Sequence, residues 1–155
     1  MTAMRAVVQR AAAARVEVDG EVVGRIDAGL VCFLGIAKSD GEAELEHMLE
    51  KVLCLRIFED ERGKMARSLE ETGGALLIVS QFTLCADTTR GRRPSFDAAM
   101  PPDEAERLYG SFVERAGARV RVGTGRFGAD MRVFVENDGP ITIVLESRPP
   151  PGRGP

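Results

Sequence analysis

Uninterrupted apolar runs predict two buried strands in the sequence. Residues 75–79 are five apolar residues in a row, which fits a strand buried on both faces or the first half of a short helix. The Val and Ile content and the preceding Gly73-Gly74 pair favour the strand. Residues 30–37 form a second run of this kind and predict a second fully buried strand.

Shorter patterned segments predict the remaining strands. Asp19-Gly20 separates two apolar segments and supplies the positive φ angles of a type I′ hairpin turn. Residues 11–14 are compatible with a helical conformation, although four residues do not hold a helix alone. The other predicted strands span residues 4–8, 16–18, 21–23, 57–58, 118–122, 131–136 and 141–145.

Two apolar stripes with helical spacing predict two helices. Ser39 or Asp40 is placed to cap the first, Asp103 is placed to cap the second, and Gly117 ends the second. The first stripe consists of Leu45, Met48, Leu49, Val52 and Leu53. The second consists of Ala105, Leu108, Tyr109, Phe112, Val113 and Ala116. We expect both stripes, including the two aromatic residues of the second, to belong to the core.

Length and composition indicate one α/β domain. A chain of 155 residues is long enough to bury about 70% of its unfolded surface. We place the domain at residues 1–147 and expect the Pro/Gly-rich residues 148–155 to be a disordered tail. No stretch approaches 18 consecutive apolar residues, so the sequence predicts no membrane span.

Charge and cysteine content exclude several kinds of site. The formal net charge is −3, so any contact with nucleic acid must be local, and the best candidate is a cluster of three arginines, Arg90, Arg92 and Arg93. The alternative is a solvated loop. Cys32, Cys54 and Cys85 form no C-x-x-C pair, and with one histidine the chain has no zinc motif. The odd cysteine count favours a reducing, cytoplasmic location, and we expect Cys32 and Cys54 to be core residues.

Polar residues follow the apolar run at 75–79 and precede the arginine cluster. Ser80, Gln81, Phe82 and Thr83 could line a ligand site there, or the polar ones could simply cap the end of the strand. A nucleophile would need a neighbouring base, but His47 lies on the first predicted helix. The sequence thus indicates either a binding module or an enzyme that positions an already activated substrate, such as an aminoacyl ester of RNA.

Three rival interpretations follow from the same residues. The chain could be an RNA-binding module without catalytic turnover. It could be a serine or cysteine hydrolase that uses Ser80 or Cys85 with His47. It could be a purely structural dimer. A separate question concerns Gly139-Pro140, because the X-Pro bond is the ordinary route to a cis peptide, although a plain hairpin turn with a trans bond is far commoner.

Several stretches resemble one known family. Their order along the chain matches as well as their content, and together they cover about residues 4–146. They are residues 4–10, 55–60, 79–84, 86–88, 91–96, 124–131 and 137–140. This combination is similar to the D-aminoacyl-tRNA deacylases, homodimeric enzymes that hydrolyse the ester of D-aminoacyl-tRNA. The resemblance implies two packed, mostly antiparallel or mixed sheets in a barrel-like arrangement, with two main helices against one side, and no metal or organic cofactor.

The resemblance also implies roles for the candidate residues. Gly139-Pro140 would be a cis motif that one subunit inserts into the active site of its partner, where it excludes an L side chain. Arg10 would hold this motif in place. The backbone amides near Phe82 and Thr83 would stabilise the oxyanion, and either Thr83 or the 2′-hydroxyl of the terminal adenosine would activate the attack.

The remaining implied roles concern the RNA. Phe127 and Met131 would contact the terminal adenine. The three arginines would meet phosphates of the acceptor stem. Glycyl-tRNA is an expected second substrate, because glycine has no side chain to exclude.

Overall fold

The computed structural model describes residues 3–147. Within them the chain forms eight strands, three α-helices and one 3₁₀-helix. The strands are β1 (Arg5–Val18), β2 (Glu21–Ile26), β3 (Gly29–Gly35), β4 (Phe58–Glu59), β5 (Met65–Arg67), β6 (Ala75–Ser80), β7 (Arg121–Thr124) and β8 (Arg132–Glu146). The helices are α1 (Glu42–Cys54), α2 (Leu69–Thr72) and α3 (Pro102–Gly117), with the 3₁₀-helix at Phe82–Cys85. The tail predicted at residues 148–155 lies outside the described residues.

Six strands form one mixed sheet. Its order is β2-β1-β3-β6-β7, and β8 pairs with β1 along nearly its whole length, from Arg5 opposite Glu146 to Glu17 opposite Arg132. The β3–β6 and β6–β7 pairs are parallel and the others are antiparallel. β2 also approaches β7, because a Cβ placed on Gly24 would lie 2.0 Å from the Thr124 carbonyl oxygen. The sheet therefore nearly closes into a barrel, which confirms the predicted α/β, barrel-like class.

Strand β6 is buried on both faces. Leu76 and Ile78 belong to the core cluster that contains the apolar stripes of α1 and α3. Leu77 and Val79 belong to a second cluster on the opposite face, with residues of β1, β2 and β8. Because alternate residues of a strand point to opposite faces, this division confirms the strand prediction for the apolar run.

The predicted helical stripes are confirmed, but the predicted caps are wrong. Gly41 is the N-cap of α1, and its amide donates to Glu44 Oε1 at 2.8 Å, so neither Ser39 nor Asp40 caps this helix. Asp40 instead turns its carboxylate toward the backbone amides of Met4 and Ala37, at 3.1 and 2.6 Å. Helix α3 begins at Pro102 after Pro101, which leaves Asp103 inside its first turn.

The buried Asp40 carboxyl makes stability depend on pH. Burial raises its pKa from 3.8 to about 6, against the two backbone hydrogen bonds, which lower it. Because the pKa is higher in the folded chain, the contribution of Asp40 to the free energy of unfolding is fully present below about pH 4 and is lost as the pH rises through about 6.

We therefore expect the free energy of unfolding of the wild type to fall, relative to that of Asp40→Asn, between about pH 4 and 7. The fall should be at most about 3 kcal/mol, since one pKa unit corresponds to about 1.4 kcal/mol. Urea unfolding of both proteins across this pH range measures the difference. Parallel pH profiles would contradict the prediction.

Two long strands were predicted in pieces. β1 runs unbroken through residues 11–14, where its register with β8 shifts at Ala11, so these alanines are strand and not helix. The strands predicted at residues 131–136 and 141–145 are the two halves of β8, both antiparallel to β1. The link between them is therefore an outward excursion of a continuing strand and not a hairpin turn.

Smaller elements were missed or shifted. The strand predicted at residues 118–122 lies at Arg121–Thr124, because residues 118–120 form a turn whose amides donate back to carbonyl oxygens at the end of α3. β5 and the short helix α2 were not predicted, although Ser68 and Glu71 form a capping box that signals the start of α2.

Cys32 is buried as expected, whereas Cys54 is exposed, because it ends α1 on the side away from the apolar stripe. No helix among residues 3–147 is long and apolar enough to cross a membrane.

Candidate active site

A cavity of about 570 Å³ opens where β6 ends. Its wall is mostly apolar and comes from four separate parts of the chain. Ser80 and Gln81 are the polar side chains of the lining, and they lie at the end of β6. The larger apolar lining residues are Ile36, Val79, Phe82, Phe96, Met100, Phe127, Met131 and Val133. Such a cavity, apolar with a few convergent polar groups, is typical of a small-ligand site.

The backbone changes direction sharply at this point. The Gln81 amide donates to the Leu34 carbonyl oxygen at 2.8 Å, which ties the end of β6 to β3. The chain then turns into the 3₁₀-helix at Phe82–Cys85. The first amides of a helix have no partner within the helix, and here neither the Phe82 nor the Thr83 amide donates a hydrogen bond to any group of residues 3–147. Two adjacent donors are thus left available beside the cavity.

Thr83 lies next to the cavity without lining it. Its hydroxyl accepts a hydrogen bond from Gln81 Nε2, so the side chain orients the amide of a residue that does line the cavity. The threonine is exposed. This contact supports positioning of Gln81 by Thr83.

Aromatic residues form the inner wall and the mouth of the cavity. The Phe127 ring packs against Tyr109 with centroids 5.7 Å apart, and the Tyr109 hydroxyl donates to the Ile78 carbonyl oxygen at 2.8 Å. This contact fixes the inner wall. Phe82 and Phe96 meet edge to face with centroids 5.2 Å apart, although 56% and 37% of these residues remain exposed.

The arginine cluster lies on a loop that leads to Phe96. A bridge between Asp87 and Ser95, with N···O distances of 2.8 and 2.9 Å, closes this loop. Arg90, Arg92 and Arg93 are exposed, and no carboxylate among the described residues lies within 4.0 Å of their guanidinium groups. Their charges are available to an anion outside the chain.

The Gly139–Pro140 bond is cis, as the resemblance implies, but neither residue lines the cavity of its own chain. Both are exposed in the excursion of β8. The buried Arg10 holds the excursion: its Nε donates to the Asp138 carbonyl oxygen at 3.1 Å and its Nη1 to the Ile57 carbonyl oxygen at 2.9 Å.

Asn137 closes the base of the excursion. Its Oδ1 accepts from the Ile141 amide and its Nδ2 donates to the Thr142 hydroxyl, both at 2.8 Å. This residue was not singled out from the sequence, although it begins the matched stretch at residues 137–140. The excursion is therefore anchored both from β1 and from its own flanks.

No side-chain base lines the cavity within the part of the chain that the structure describes. None of its lining residues is titratable, and His47 on α1 is not among them. Cys85 is buried, and burial raises the pKa of its thiol, which disfavours the thiolate. These facts count against a hydrolase that uses Ser80 or Cys85 with His47. Residues 3–147 also hold no group of three or more His, Cys, Asp or Glu side chains arranged for a metal.

Sequence reasoning located part of the wall only. Phe96, Met100 and Ile36 line the cavity but were not singled out, because their segments meet β6 through tertiary contacts. Phe96 carried one usable signal, since it ends the matched stretch at residues 91–96. Phe127 and Met131, which the resemblance implied, do line the cavity.

Comparison with known proteins gives consistent similarities. The family model described as D-Tyr-tRNA(Tyr) deacylase matches residues 7–146. The D-aminoacyl-tRNA deacylase of Kosmotoga olearia is 57% identical over 145 residues, covering 94% of this chain and 98% of the relative. That of Sorangium cellulosum is 58% identical over 147 residues, again with 94% and 98% coverage.

Two solved structures are also similar. One is described as c-Myc DNA Unwinding Element Binding Protein, with a TM-score of 0.89, 45% identity, and coverage of 94% of this chain and 99% of that one. The other is described as a probable eukaryotic D-amino acid tRNA deacylase, with a TM-score of 0.82 and coverage of 94% and 100%. Its identity is 20%, so that likeness concerns the fold alone.

Proposed function

This chain belongs to the D-Tyr-tRNA(Tyr) deacylase family and is a hydrolase of ester bonds, and from that premise we propose that it hydrolyses D-aminoacyl-tRNA to free D-amino acid and tRNA. The observation that carries the proposal is the pair of unpartnered amides of Phe82 and Thr83 beside an apolar cavity. Hydrolysis of an ester develops negative charge on the carbonyl oxygen, and two backbone N–H donors are the usual means of stabilising it. Ser80 and Gln81 position the ester at these donors.

The attack is assisted by the substrate itself. Water adds to the ester carbonyl carbon while the vicinal 2′-hydroxyl of the terminal ribose relays its proton toward the departing O3′. The ester C–O bond then breaks, and the tRNA leaves with a free 3′-hydroxyl. No step requires a metal or an organic cofactor. The absence of any titratable side chain from the lining among residues 3–147 supports this route over a side-chain base.

A substrate without the 2′-hydroxyl should therefore react slowly. We expect tRNA that ends in 2′-deoxyadenosine and carries a 3′-D-tyrosyl ester to be hydrolysed about 10²-fold or more slowly, the scale of a lost general acid–base group. Thr83→Ala should change kcat on the normal substrate by less than about tenfold, the scale of one neutral hydrogen bond, because a positioning contact is lost but both amides stay. Single-turnover kinetics measure both values. A large loss of kcat in Thr83→Ala, together with an unchanged hydrolysis rate of the deoxy substrate, would mean that Thr83 activates the attack.

The terminal adenosine occupies the inner part of the cavity. Phe127 and Met131 contact the adenine, since both line this wall and Phe127 is fixed by Tyr109. The unpaired Arg90, Arg92 and Arg93 meet phosphates of the acceptor stem. Local basic charge of this kind allows tRNA binding by a chain whose formal net charge is −3.

Chiral selection comes from a second copy of the chain. In the homodimer, Gly139-Pro140 of each subunit enters the cavity of the other and excludes an L side chain at the α-carbon, while a D side chain points away. Val133 lines the cavity, and Gly139 lies six residues further along β8, which is roughly 20 Å at 3.3 Å per residue. This separation supports action in trans. The enzyme works in the cytoplasm as a proofreading step of translation.

Hydrolysis of matched D-tyrosyl- and L-tyrosyl-tRNA tests the proposed function. Of the two tyrosyl esters, we expect only the D-ester to release its amino acid. Glycyl-tRNA should be hydrolysed as well, because exclusion of a side chain cannot reject glycine. Saturable tRNA binding without release from any of the three esters would instead identify an RNA-binding module.

Arg10 offers a test of the proposed chiral selection by Gly139-Pro140. Arg10→Ala removes the hydrogen bond to the Asp138 carbonyl oxygen that holds the excursion, together with the bond to Ile57 that fixes the Arg10 side chain. We expect the D-over-L ratio of kcat/KM to fall at least about tenfold, which corresponds to about 1.4 kcal/mol. Because both rates come from one sample, the ratio does not depend on the folded fraction. Arg15→Ala is the matched control, since Arg15 lies on the same strand but contacts Glu17 and the Phe134 ring, neither of which belongs to the excursion. An unchanged D-over-L ratio in Arg10→Ala would mean that Arg10 does not contribute to chiral selection.

A further inference from the structure

Resting on the proposed function, we infer that Phe96 is a stacking platform for the nucleotide that precedes the terminal adenosine in the single-stranded 3′ end of the tRNA. Phe96 lies at the mouth of the cavity, and it follows Arg93 by three residues. The proposal adds a second recognised base to the site. It concerns binding of the RNA and not the chemical step.

Exposure distinguishes Phe96 from the aromatic residues of the core. Phe112 is fully buried and Tyr109 is 6% exposed, whereas Phe96 keeps 37% of its surface in solvent. Its contact with Phe82 is edge to face, with an interplanar angle of 68°, so this contact leaves a face of the Phe96 ring uncovered by Phe82. An aromatic face beside cationic side chains is the arrangement with which proteins bind single-stranded nucleic acid.

The position of Phe96 agrees with the path that the RNA must take. The adenosine lies against Phe127 and the ester lies at the Phe82 and Thr83 amides, so the preceding nucleotide has to leave through the mouth. Phe96 and Phe82 line the cavity and stay partly exposed at its mouth, and the exposed arginines lie on the loop that leads to Phe96. The next base therefore passes Phe96 before its phosphates reach the arginines.

Charge favours RNA over a second protein chain as the occupant of this surface. Arg90, Arg92 and Arg93 adjoin Phe96 along the chain, and within residues 3–147 no carboxylate pairs with them. Another copy of this chain would have to place acidic groups opposite three arginines. A polynucleotide carries one phosphate per nucleotide and supplies the complementary charge along its whole length.

Two small substrates test the inference. One is 3′-O-D-tyrosyl adenosine, which has no preceding nucleotide, and the other is the D-tyrosyl ester of the trinucleotide CCA. For Phe96→Ala we expect KM to rise about 5- to 50-fold on the trinucleotide and less than about twofold on the nucleoside, with kcat unchanged on both. Phe96→Tyr, which keeps the ring, should restore KM on the trinucleotide.

Two further variants serve as controls for Phe96→Ala. Phe134→Ala removes an aromatic residue of similar exposure, 39%, that lies outside the cavity lining, and should leave both KM values unchanged. Phe96→Leu tests the same role with a smaller change of shape, should Phe96→Ala unfold. Equal KM increases on both substrates would place Phe96 against the adenosine, and a weakened dimer in sedimentation would place it in a protein interface. Either result overturns the inference. Failure of the wild type to cleave either D-ester would instead refute the proposed function.

Discussion

Replacement of Phe82 by proline is expected to lower kcat for D-tyrosyl-tRNA hydrolysis about 10²- to 10³-fold, the usual loss for one oxyanion donor. Proline has no N–H, so the substitution removes one of the two available amides. Phe82 is the first residue of the 3₁₀-helix, where its amide has no intrahelical partner and where the fixed φ of proline fits. The change therefore removes a donor from the site at little cost to the fold.

Phe82→Ala is the matched control. It removes the ring but keeps the amide, so we expect its kcat to stay within about tenfold of wild type, well above that of Phe82→Pro. Thermal unfolding and binding of uncharged tRNA should be similar in both variants. Equal kcat values in the proline and alanine variants would mean that the Phe82 amide does not stabilise the oxyanion.

Gly29→Ala is expected to lower the free energy of unfolding by about 3–5 kcal/mol, at the upper end of the range for single substitutions. Gly29 lies in β3 between Ala11 of β1 and Ala75 of β6. A Cβ on Gly29 would lie 1.9 Å from the Ala75 carbonyl oxygen. Because the obstructing atom belongs to the backbone, one strand must move, and the parallel pairing that positions Ser80 is disturbed.

Gly110→Ala is the corresponding control in α3. Gly110 is exposed, and a Cβ there would have no heavy atom within 4 Å among its neighbours. Replacement of glycine by alanine in a helix interior should raise the free energy of unfolding by about 0.5–1 kcal/mol. Urea unfolding compares the two variants with wild type. A Gly29→Ala loss of less than about 1 kcal/mol would mean that β3 and β6 adjust more easily than this packing indicates.

The sequence predicted the elements whose signal is local. The stripe of α1 and the run at residues 75–79 have a period that residue spacing alone reveals, and both were placed correctly. β8 was divided in two because Gly139-Pro140 carries a turn signal. What keeps it one strand is its pairing with β1, a contact between residues that lie 115 to 141 positions apart.

The candidate site shows the same limit. The polar end of β6 was visible in the sequence, and so was the nearby arginine cluster. The resemblance implied oxyanion donors near Phe82 and Thr83, but the residues alone did not show that both amides lack partners, because a sequence gives no record of which backbone groups find partners. Asp40 failed as a predicted helix cap for a related reason, since its carboxylate accepts a hydrogen bond from the amide of Met4, a residue 36 positions away that lies just before β1.

The pairing of β1 with β8 also fixes the order in which the nascent protein becomes complete. β1 ends at Val18 and β8 begins at Arg132, so 132 − 18 = 114 positions separate them. At about 5–20 residues per second, the ribosome needs roughly 6–23 s to make this interval. During that time the whole β8-facing edge of β1 is an open template for strand pairing. Products of translation that stop before Arg132 retain this open edge, so we expect them to aggregate more readily than the complete chain.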